Sequence, residues 1–154
     1  MQLRSKQVVK RIYGVLERQF RRYFEMAVRK HEETGNALLK ILESRLDNTV
    51  FRMGFASSRR QARQLVSHGH ITVNGRRVNK PSFNLRVGDI VEIKEKSRVV
   101  LPVKEAVEAA KERAAYPWLE INYEDFRGTY LRYPAREEVE IPVDLQSIIE
   151  LYSK

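Results

Sequence analysis

Residues 45–80 have the sequence RLDNTVFRMGFASSRRQARQLVSHGHITVNGRRVNK, which contains the strongest local signals of the chain. From just before this segment, apolar residues recur at spacings of four, four and three, which predicts a helix with one buried face: Leu42, Leu46, Val50 and Met53. We expect the opposite stripe to form a polar face with Arg45, Asn48 and Arg52. Gly54 then provides a C-terminal stop. The first part of the segment therefore predicts a short amphipathic helix.

A second helix is predicted to begin at Ser58, because Ser58 and Gln61 have the spacing of a capping box. The polar residues of its first turns project outward; they are Arg59, Arg60, Arg63, Gln64 and Ser67. A helix start already presents unpaired N–H groups and a partial positive charge, so three arginines there are electrostatically costly without an anion. We expect that anion to be phosphate. A solvated basic face is the alternative interpretation.

A hairpin is predicted after the second helix. Ile71 and Val73 alternate as in a strand, and Asn74-Gly75 tolerates the positive φ angles of a type I′ turn. Two more arginines lie on or just after its tip, namely Arg76 and Arg77. Because arginines of both helices and of the hairpin occur in one short segment, the pattern favours an anion site over a solvated face.

The N-terminal part is predicted to be helical. Residues 3–12 have a weak helical pattern that Tyr13-Gly14 breaks, and an apolar stripe at helical spacing follows: Leu16, Phe20, Phe24 and Ala27. We expect this stripe to be core, although its aromatic residues could in principle stack on bases. Thr34-Gly35 opens a third helix, which we expect to continue through Leu46 into the central segment.

The C-terminal part alternates helix and strand. Pro102 suits a first helical position, and we expect a helix from there to Pro117. Strands are predicted over residues 118–123 and 129–133, joined through Gly128. Asp144 can cap a final helix, which we expect to return to the N-terminal helices through an apolar stripe of Leu145, Ile148, Ile149 and Tyr152.

Charge is distributed unevenly along the chain, whose formal net charge is +9. Residues 1–80 contain 18 Lys/Arg and 6 Asp/Glu, whereas residues 81–154 contain 11 and 14. This asymmetry indicates a polyanion-binding front and a rear that packs internally or meets another protein. The absence of cysteine excludes disulfides and thiolate zinc sites and agrees with a reducing cytosol. No apolar run is long enough to span a bilayer.

Catalytic and metal sites have weak signals. His68 and His70 fall on one face at a strand entrance, but no cysteine or carboxylate close by completes a ligand set. The carboxylates after Glu92 lack a general acid–base pattern, and Ser57 and Ser58 lack a nucleophile elbow. A helix-turn-helix DNA regulator is a further alternative, suggested by the paired helices. The arginines at the start of the second helix argue against it, because they favour contacts with phosphate over contacts with base edges.

Several segments together resemble the S4 family of RNA-binding proteins. Its RNA-binding domain is similar to RLDNTVFRMGF, to SSRRQARQLVSHGHITVNG and to the run from Val91 to Ile93. Its bacterial small-subunit ribosomal members are similar also to RIYGVLERQFRRYF and IIELYSK. Members usually carry a further N-terminal segment of several dozen residues, in some cases with zinc-binding cysteines, and we expect this chain to begin after it. Similar domains also occur on pseudouridine synthases and tyrosyl-tRNA synthetases, so an enzyme is a further alternative. Those enzymes need a large catalytic domain, whereas every segment of this chain is already assigned to the binding module or to a helical pattern.

The resemblance implies direct binding of 16S ribosomal RNA, early in assembly of the small (30S) subunit, at a helical junction in the 5′ part of that RNA. It also implies the S5 protein as a neighbour, an effect on decoding accuracy and, in some bacteria, repression of its own operon through mRNA. A translational repressor that binds structured mRNA and a stand-alone RNA-binding stress or assembly factor stay open as alternatives. The expected location is the cytoplasmic ribosome, without membrane contact.

We therefore predict an α+β protein that is not an enzyme and needs no metal or cofactor. A small all-helical domain is expected to comprise residues 1–44 and 134–154. An S4-type RNA-binding domain, with helices packed on a mainly antiparallel sheet, is expected to be inserted as residues 45–133. The residues predicted to bind RNA are Lys10, Arg11, Arg18, Arg21, Arg22, Arg45, Asn48, Arg52, Ser58, Arg59, Arg60, Arg63, Gln64, Ser67, His68, Arg76 and Arg77.

Overall fold

The computed structural model describes residues 2–142 and 144–153, with the side chains of residues 4–142 and 144–151. They form two compact units. The helical unit holds the described residues up to Leu42 and from Pro134 onward, and the mixed unit holds Glu43–Tyr133. Whether these units correspond to domains that fold independently, as predicted for residues 45–133, stays a prediction.

The described residues form helices and one antiparallel sheet, which confirms the predicted α+β class. In chain order the main elements are α1 (Gln2–Tyr13), α2 (Glu17–Val28), α3 (Thr34–Glu43), α4 (Leu46–Arg52), α5 (Arg59–Ser67), β1 (Ile71–Val73), β2 (Arg76–Arg77), β3 (Ile90–Ile93), α6 (Leu101–Lys111), β4 (Leu119–Asn122), β5 (Arg127–Tyr130) and α7 (Leu145–Ser153). Short 3-10 helices occur at Glu95–Ser97 and Arg136–Glu138. None of the helices in the described ranges is both long and apolar enough to cross a bilayer.

In the helical unit, the predicted aromatic stripe of α2 is core. Phe20 and Ala27 are fully buried and Phe24 is 8 % exposed, so these rings are not available for stacking on bases. Leu16 was expected in the same stripe but is 80 % exposed. It has extended backbone as the N-cap of α2, outside the helical periodicity that would have turned it inward. Gly14, with φ of +67°, ends α1 as predicted.

The C-terminal helix α7 belongs to the helical unit and packs against α1. Asp144 caps it by accepting a hydrogen bond from the Gln146 N–H at 3.0 Å. Leu145 and Ile148 are buried, as their helical spacing predicts. The predicted contribution of Tyr152 to this stripe lies outside the described side chains.

The predicted continuous helix from Thr34 through Leu46 is wrong, because α3 ends at Glu43 and α4 begins at Leu46. Arg45 is extended between them, with φ of −63° and ψ of 140°. A loop of the mixed unit provides hydrogen-bond partners for the backbone groups at this break. The Leu46 N–H donates to the Phe83 carbonyl at 2.8 Å, and the Leu85 N–H donates to the Ser44 carbonyl at 2.7 Å. The partners lie about forty residues away, beyond the range of a local pattern.

In the mixed unit, α4 and α5 pack against each other across the turn at Gly54. Gly54 has φ of +88°, and a Cβ there would overlap the Cβ of Ala110 in α6. Glycine is thus required both for the left-handed backbone and for the close approach of α6. Helix α6 is shorter than the predicted helix from Pro102 to Pro117, because it ends at Lys111 and Ala114 is exposed beyond its end.

The sheet has the strand order β2-β1-β3-β5-β4. Positive φ angles at Asn74 and Gly75, 52° and 82°, confirm the predicted hairpin turn between β1 and β2. The pairing of Ile71 with Ile93 places two buried side chains opposite each other on β1 and β3. As expected, the last two strands extend this sheet.

Gly128 was expected in the loop between the last two strands but lies inside β5. The turn is made instead at Phe126, whose φ is 49°. A Cβ at Gly128 would lie 2.5 Å from the Met53 sulfur, so glycine leaves room for the Met53 side chain against the sheet.

Candidate nucleic-acid interface

The predicted interface is centred on the start of α5. The Ser58 hydroxyl caps this helix by accepting a hydrogen bond from the Gln61 N–H at 3.0 Å. The Gln61 side chain accepts from the Ser57 N–H at 2.7 Å rather than from that of Ser58, so the predicted capping box is displaced by one residue. Ser58 therefore has a structural role at the position where we predicted an RNA contact.

Arg60 and Arg63 place positive charge beside this helix start. Arg60 is exposed, and the Arg63 side chain is 41 % exposed, with its Nε 3.6 Å from the Asp47 carboxylate. The first turn of α5 contains no acidic residue. A phosphate here would meet unpaired N–H groups of the helix and charged guanidinium groups together, which is the arrangement that binds anions.

Arg59 differs from its two neighbours because α4 holds its side chain. Its Nε donates to the Asn48 side-chain oxygen at 2.9 Å, and its guanidinium lies 4.7 Å from the centre of the Phe51 ring. The Arg59 side chain therefore links α5 to α4. It has a structural role as well as a charge near the predicted interface.

The polar stripe of α4 was predicted to form an exposed polar face. This prediction is wrong, because Arg45 and Asn48 are only 5 % and 1 % exposed. The Arg45 guanidinium donates to both oxygens of Asp47, at 3.1 Å and 3.0 Å. Asp47 is itself fully buried and also lies near Arg63. A buried carboxylate thus neutralises one arginine and holds a second one closer to the surface.

Glu43 is the second buried carboxylate, and it accepts hydrogen bonds from Asn48 and Arg52 of the same stripe. The Asn48 amide donates to its carbonyl oxygen at 2.9 Å and to its carboxylate at 2.8 Å. The Arg52 guanidinium donates to its two carboxylate oxygens at 3.1 Å and 2.8 Å, and lies 4.9 Å from the centre of the Tyr116 ring. We refer to Glu43, Arg45, Asp47, Asn48 and Arg52 as the buried polar cluster.

The remaining predicted residues of the mixed unit are exposed. Gln64, Ser67 and His68 follow one another along the second half of α5 and its C-cap, and Arg76 and Arg77 form β2 at an edge of the sheet. A Cβ at Gly69 would lie 3.0 Å from the Arg77 Nε, so the hairpin arginine reaches the turn that ends α5. The hairpin and α5 therefore present their charges close together.

His70 lies near several of these charged side chains. Its pKa is lowered first by burial and then by repulsion from Lys94, His68 and Arg77. Its Nδ1 lies 2.6 Å from the Ser97 hydroxyl. The lowered pKa favours the neutral ring, which is expected where several cations surround one site.

A second group of predicted residues lies in the helical unit. Arg11, Arg18, Arg21 and Arg22 are exposed, and the last three share one face of α2 through spacings of three and four. Lys10 is different, because its side chain is 14 % exposed and its Nζ lies 3.0 Å from the Glu17 carboxylate. No group of His, Asp and Glu in the described part of the chain could hold a metal ion.

Two family models match the chain. Residues 44–91 match the S4 domain, and residues 1–43 match the ribosomal protein S4/S9 N-terminal domain. The small ribosomal subunit protein uS4 of Kosmotoga olearia is 72 % identical over 154 residues, which is 100 % of this chain and 74 % of that protein. The corresponding proteins of Thermotoga maritima and Thermosipho africanus are 60 % and 57 % identical over 155 residues, with the same coverage.

The chain belongs to the uS4 family of small ribosomal subunit proteins. This confirms the resemblance inferred from the segments around residues 45–80. Members of the family are structural ribosomal proteins, so the prediction that the chain is not an enzyme is also confirmed. The predicted RNA-binding residues fall in both matched regions of the chain.

Sequence reasoning missed the acidic half of the buried polar cluster. Glu43 and Asp47 were not among the predicted site residues, yet their carboxylates accept hydrogen bonds from Arg52 and Arg45. A signal was present, since Asp47 lies two residues after Arg45 and Glu43 precedes Arg52 by nine. Acids so close to several arginines in an otherwise basic stretch indicate internal pairing.

Proposed function

We propose that the chain is a structural protein of the small ribosomal subunit that binds 16S rRNA directly and helps to nucleate subunit assembly in the cytoplasm. The observation that carries this proposal is the exposed basic surface of the mixed unit, which we call the α5–hairpin surface and define as Arg60, Arg63, His68, Arg76 and Arg77. The uS4 relatives, named as small ribosomal subunit proteins, support it.

The chemistry of this surface suits phosphate better than base edges. Guanidinium groups and a helix N-terminus bind phosphate oxygens, and such contacts position a protein without carrying sequence information. The deep, narrow major groove of A-form RNA also keeps side chains away from base edges. We therefore propose that the α5–hairpin surface recognises the shape of folded RNA, such as a helical junction.

Binding of the full chain to naked 16S rRNA, measured as a function of salt, tests the proposal. If about six phosphates are neutralised, affinity should fall by a factor of about 10³ between about 50 mM and 200 mM salt. Duplex DNA of equal length is the control, and it should bind more weakly at each salt concentration. A salt-independent affinity, or equal affinity for the DNA, would contradict the proposal.

The family resemblance supports three finer proposals: a role in translational accuracy, a neighbouring small-subunit protein such as S5, and binding of the chain's own mRNA. The net-negative half of the chain, residues 81–154, offers charge for a protein neighbour. Phosphate recognition by the α5–hairpin surface extends to structured mRNA, so a translational repressor is the second candidate. Competition between 16S rRNA and that mRNA tests it, and mutual exclusion is the expected result.

A further inference from the structure

The mixed unit contains a cavity that the proposed phosphate contacts leave unused. Its volume is about 370 Å³, near the lower end of the range for small-ligand sites. Residues of α5, of the turn that follows it and of the first part of α6 surround it; they include Gln61, Gln64, Leu65, His70, Val100 and Val103. The cavity adjoins the α5–hairpin surface, since His68 lines it too.

The walls of this cavity combine apolar faces with hydrogen-bonding groups. Leu65 and Val103 are buried, and Val100 is 41 % exposed at its rim. The amide nitrogen of Gln61 is buried without a hydrogen-bond partner among the described residues. The His70 ring uses Nδ1 in a hydrogen bond with the Ser97 hydroxyl at 2.6 Å, so Nε2 is the ring nitrogen that could bond a ligand.

Positive charge also lies near the wall of the cavity that His70 forms. Lys94, His68 and Arg77 are close enough to His70 to interact with it electrostatically. A ligand for this site therefore has flat apolar faces, polar edges and an anionic group. A nucleotide has all three, because its base supplies the faces and edges and its phosphate supplies the charge.

We propose that this cavity binds one unpaired nucleotide of the RNA, with its base against Val100 at the rim and its phosphate near Arg77 and Lys94. The proposal rests on the RNA-binding function proposed above and deepens it. The α5–hairpin surface would then recognise RNA shape, while the cavity selects RNA in which a base is free to leave the helical stack. Recognition would acquire a base-dependent component that phosphate contacts alone cannot provide.

Substitution of Val100 by Trp tests the proposal, because a large side chain at the rim fills the cavity. The matched control is Val99→Trp, since Val99 is 74 % exposed and does not line the cavity. The probes are an RNA hairpin with a single bulged 2-aminopurine and the same hairpin without the bulge. We expect the full wild-type chain to bind the bulged hairpin about tenfold more tightly, which corresponds to about 1.4 kcal/mol, with a change in 2-aminopurine fluorescence.

The Val100→Trp variant should bind both hairpins equally, with the affinity that the wild-type chain has for the hairpin without a bulge. The Val99→Trp variant should retain the preference. Equal binding of both hairpins by the wild-type chain, or an undiminished preference in Val100→Trp, would overturn the cavity proposal. A second variant, Gln64→Ala, should reduce discrimination among the four natural bases at the bulge, and unchanged discrimination would also count against it.

Binding to naked 16S rRNA separates this proposal from the function on which it rests. If the wild-type chain and the Val100→Trp variant bind 16S rRNA equally well, the cavity proposal fails and the rRNA-binding function stands. If the wild-type chain does not bind 16S rRNA, the proposed function itself fails. Weaker binding by Val100→Trp, with Val99→Trp unchanged, supports both.

Discussion

At the scale of single residues, the arginines around α4 and α5 fall into two classes. Arg60 is exposed, whereas Arg45 and Arg52 donate hydrogen bonds to buried carboxylates. Arg59 lies between these classes, because Asn48 and Phe51 hold it against α4. The same substitution to alanine should therefore have different consequences at positions that the sequence pattern treats alike.

Arg60→Ala should weaken binding to 16S rRNA and reduce the salt dependence by about one counterion, since a single phosphate contact is removed. Its thermal stability should be nearly unchanged. Arg59→Ala is the matched comparison, and it should lower the melting temperature as well because it removes the link between α5 and α4. Filter binding and thermal denaturation of both variants measure these effects. Equal stability of the two variants would contradict the structural role of Arg59.

Glu43→Ala should destabilise the protein by about 3–5 kcal/mol, because it removes the buried carboxylate that pairs with the Arg52 guanidinium and accepts from the Asn48 amide. Glu108→Ala is the control, since it removes an exposed carboxylate paired with Lys111 at 3.0 Å and should change stability little. Urea denaturation measures both. A small effect of Glu43→Ala would mean that the buried polar cluster does not depend on its carboxylate.

At the scale of elements, the turn between α4 and α5 depends on a glycine for two separable reasons. Gly54→Ala introduces a strained φ of +88° and also a clash with Ala110, whereas Gly75→Ala introduces a similar strain at φ of +82° with no atom within 4 Å of the new Cβ. We expect Gly75→Ala to cost about 1–2 kcal/mol, from backbone strain alone. Gly54→Ala should cost about 1–3 kcal/mol more, from overpacking against α6.

Urea denaturation of the two glycine variants gives this difference directly. Equal losses would show that α6 can move away from the turn at no cost. A further double variant, Gly54→Ala with Ala110→Gly, should recover part of the extra loss, because it removes the atom that the new Cβ would meet.

At the scale of the whole molecule, local patterns predicted the elements whose causes are local. The start of α5 follows from Ser58, and the hairpin follows from Asn74-Gly75. The features that were missed depend on distant partners. The break before α4 depends on a loop near Asn84, and the position of Gly128 within a strand depends on the Met53 side chain.

The same distinction between local causes and distant partners applies to the predictions for the candidate site. Charge and helix position predicted phosphate contacts at Arg60 and Arg63, and these contacts stay a prediction. Arg60 is exposed, and Arg63 is partly exposed beside Asp47. Charge and helix position did not predict that the Arg45 and Arg52 side chains are only 6 % and 10 % exposed, because burial is decided by packing that a single stripe does not contain. A polar stripe indicates an exposed face only where no oppositely charged residue is near enough to pair with it.

The helical unit contains the beginning and the end of the described chain, and we propose that it forms a domain into which residues 45–133 are inserted. Deletion of residues 144–154 should remove the burial of Leu145 and Ile148, worth about 1.5–3 kcal/mol each, and destabilise this domain. Limited proteolysis should then cut rapidly within residues 1–40 and leave a protected fragment near residues 45–130. Unchanged protection of the N-terminal helices would contradict the arrangement.

The buried polar cluster also affects the thermodynamics of association. A flexible arginine loses rotamer freedom when it binds a ligand, at a cost of about 0.5–1.5 kcal/mol for each immobilised side chain. Asp47 and Asn48 restrict Arg63 and Arg59 in the isolated protein, so part of this entropy is already lost during folding. For the proposed RNA contacts, such preorganised guanidinium groups would lower the entropic penalty of association relative to the same charges on unrestricted side chains.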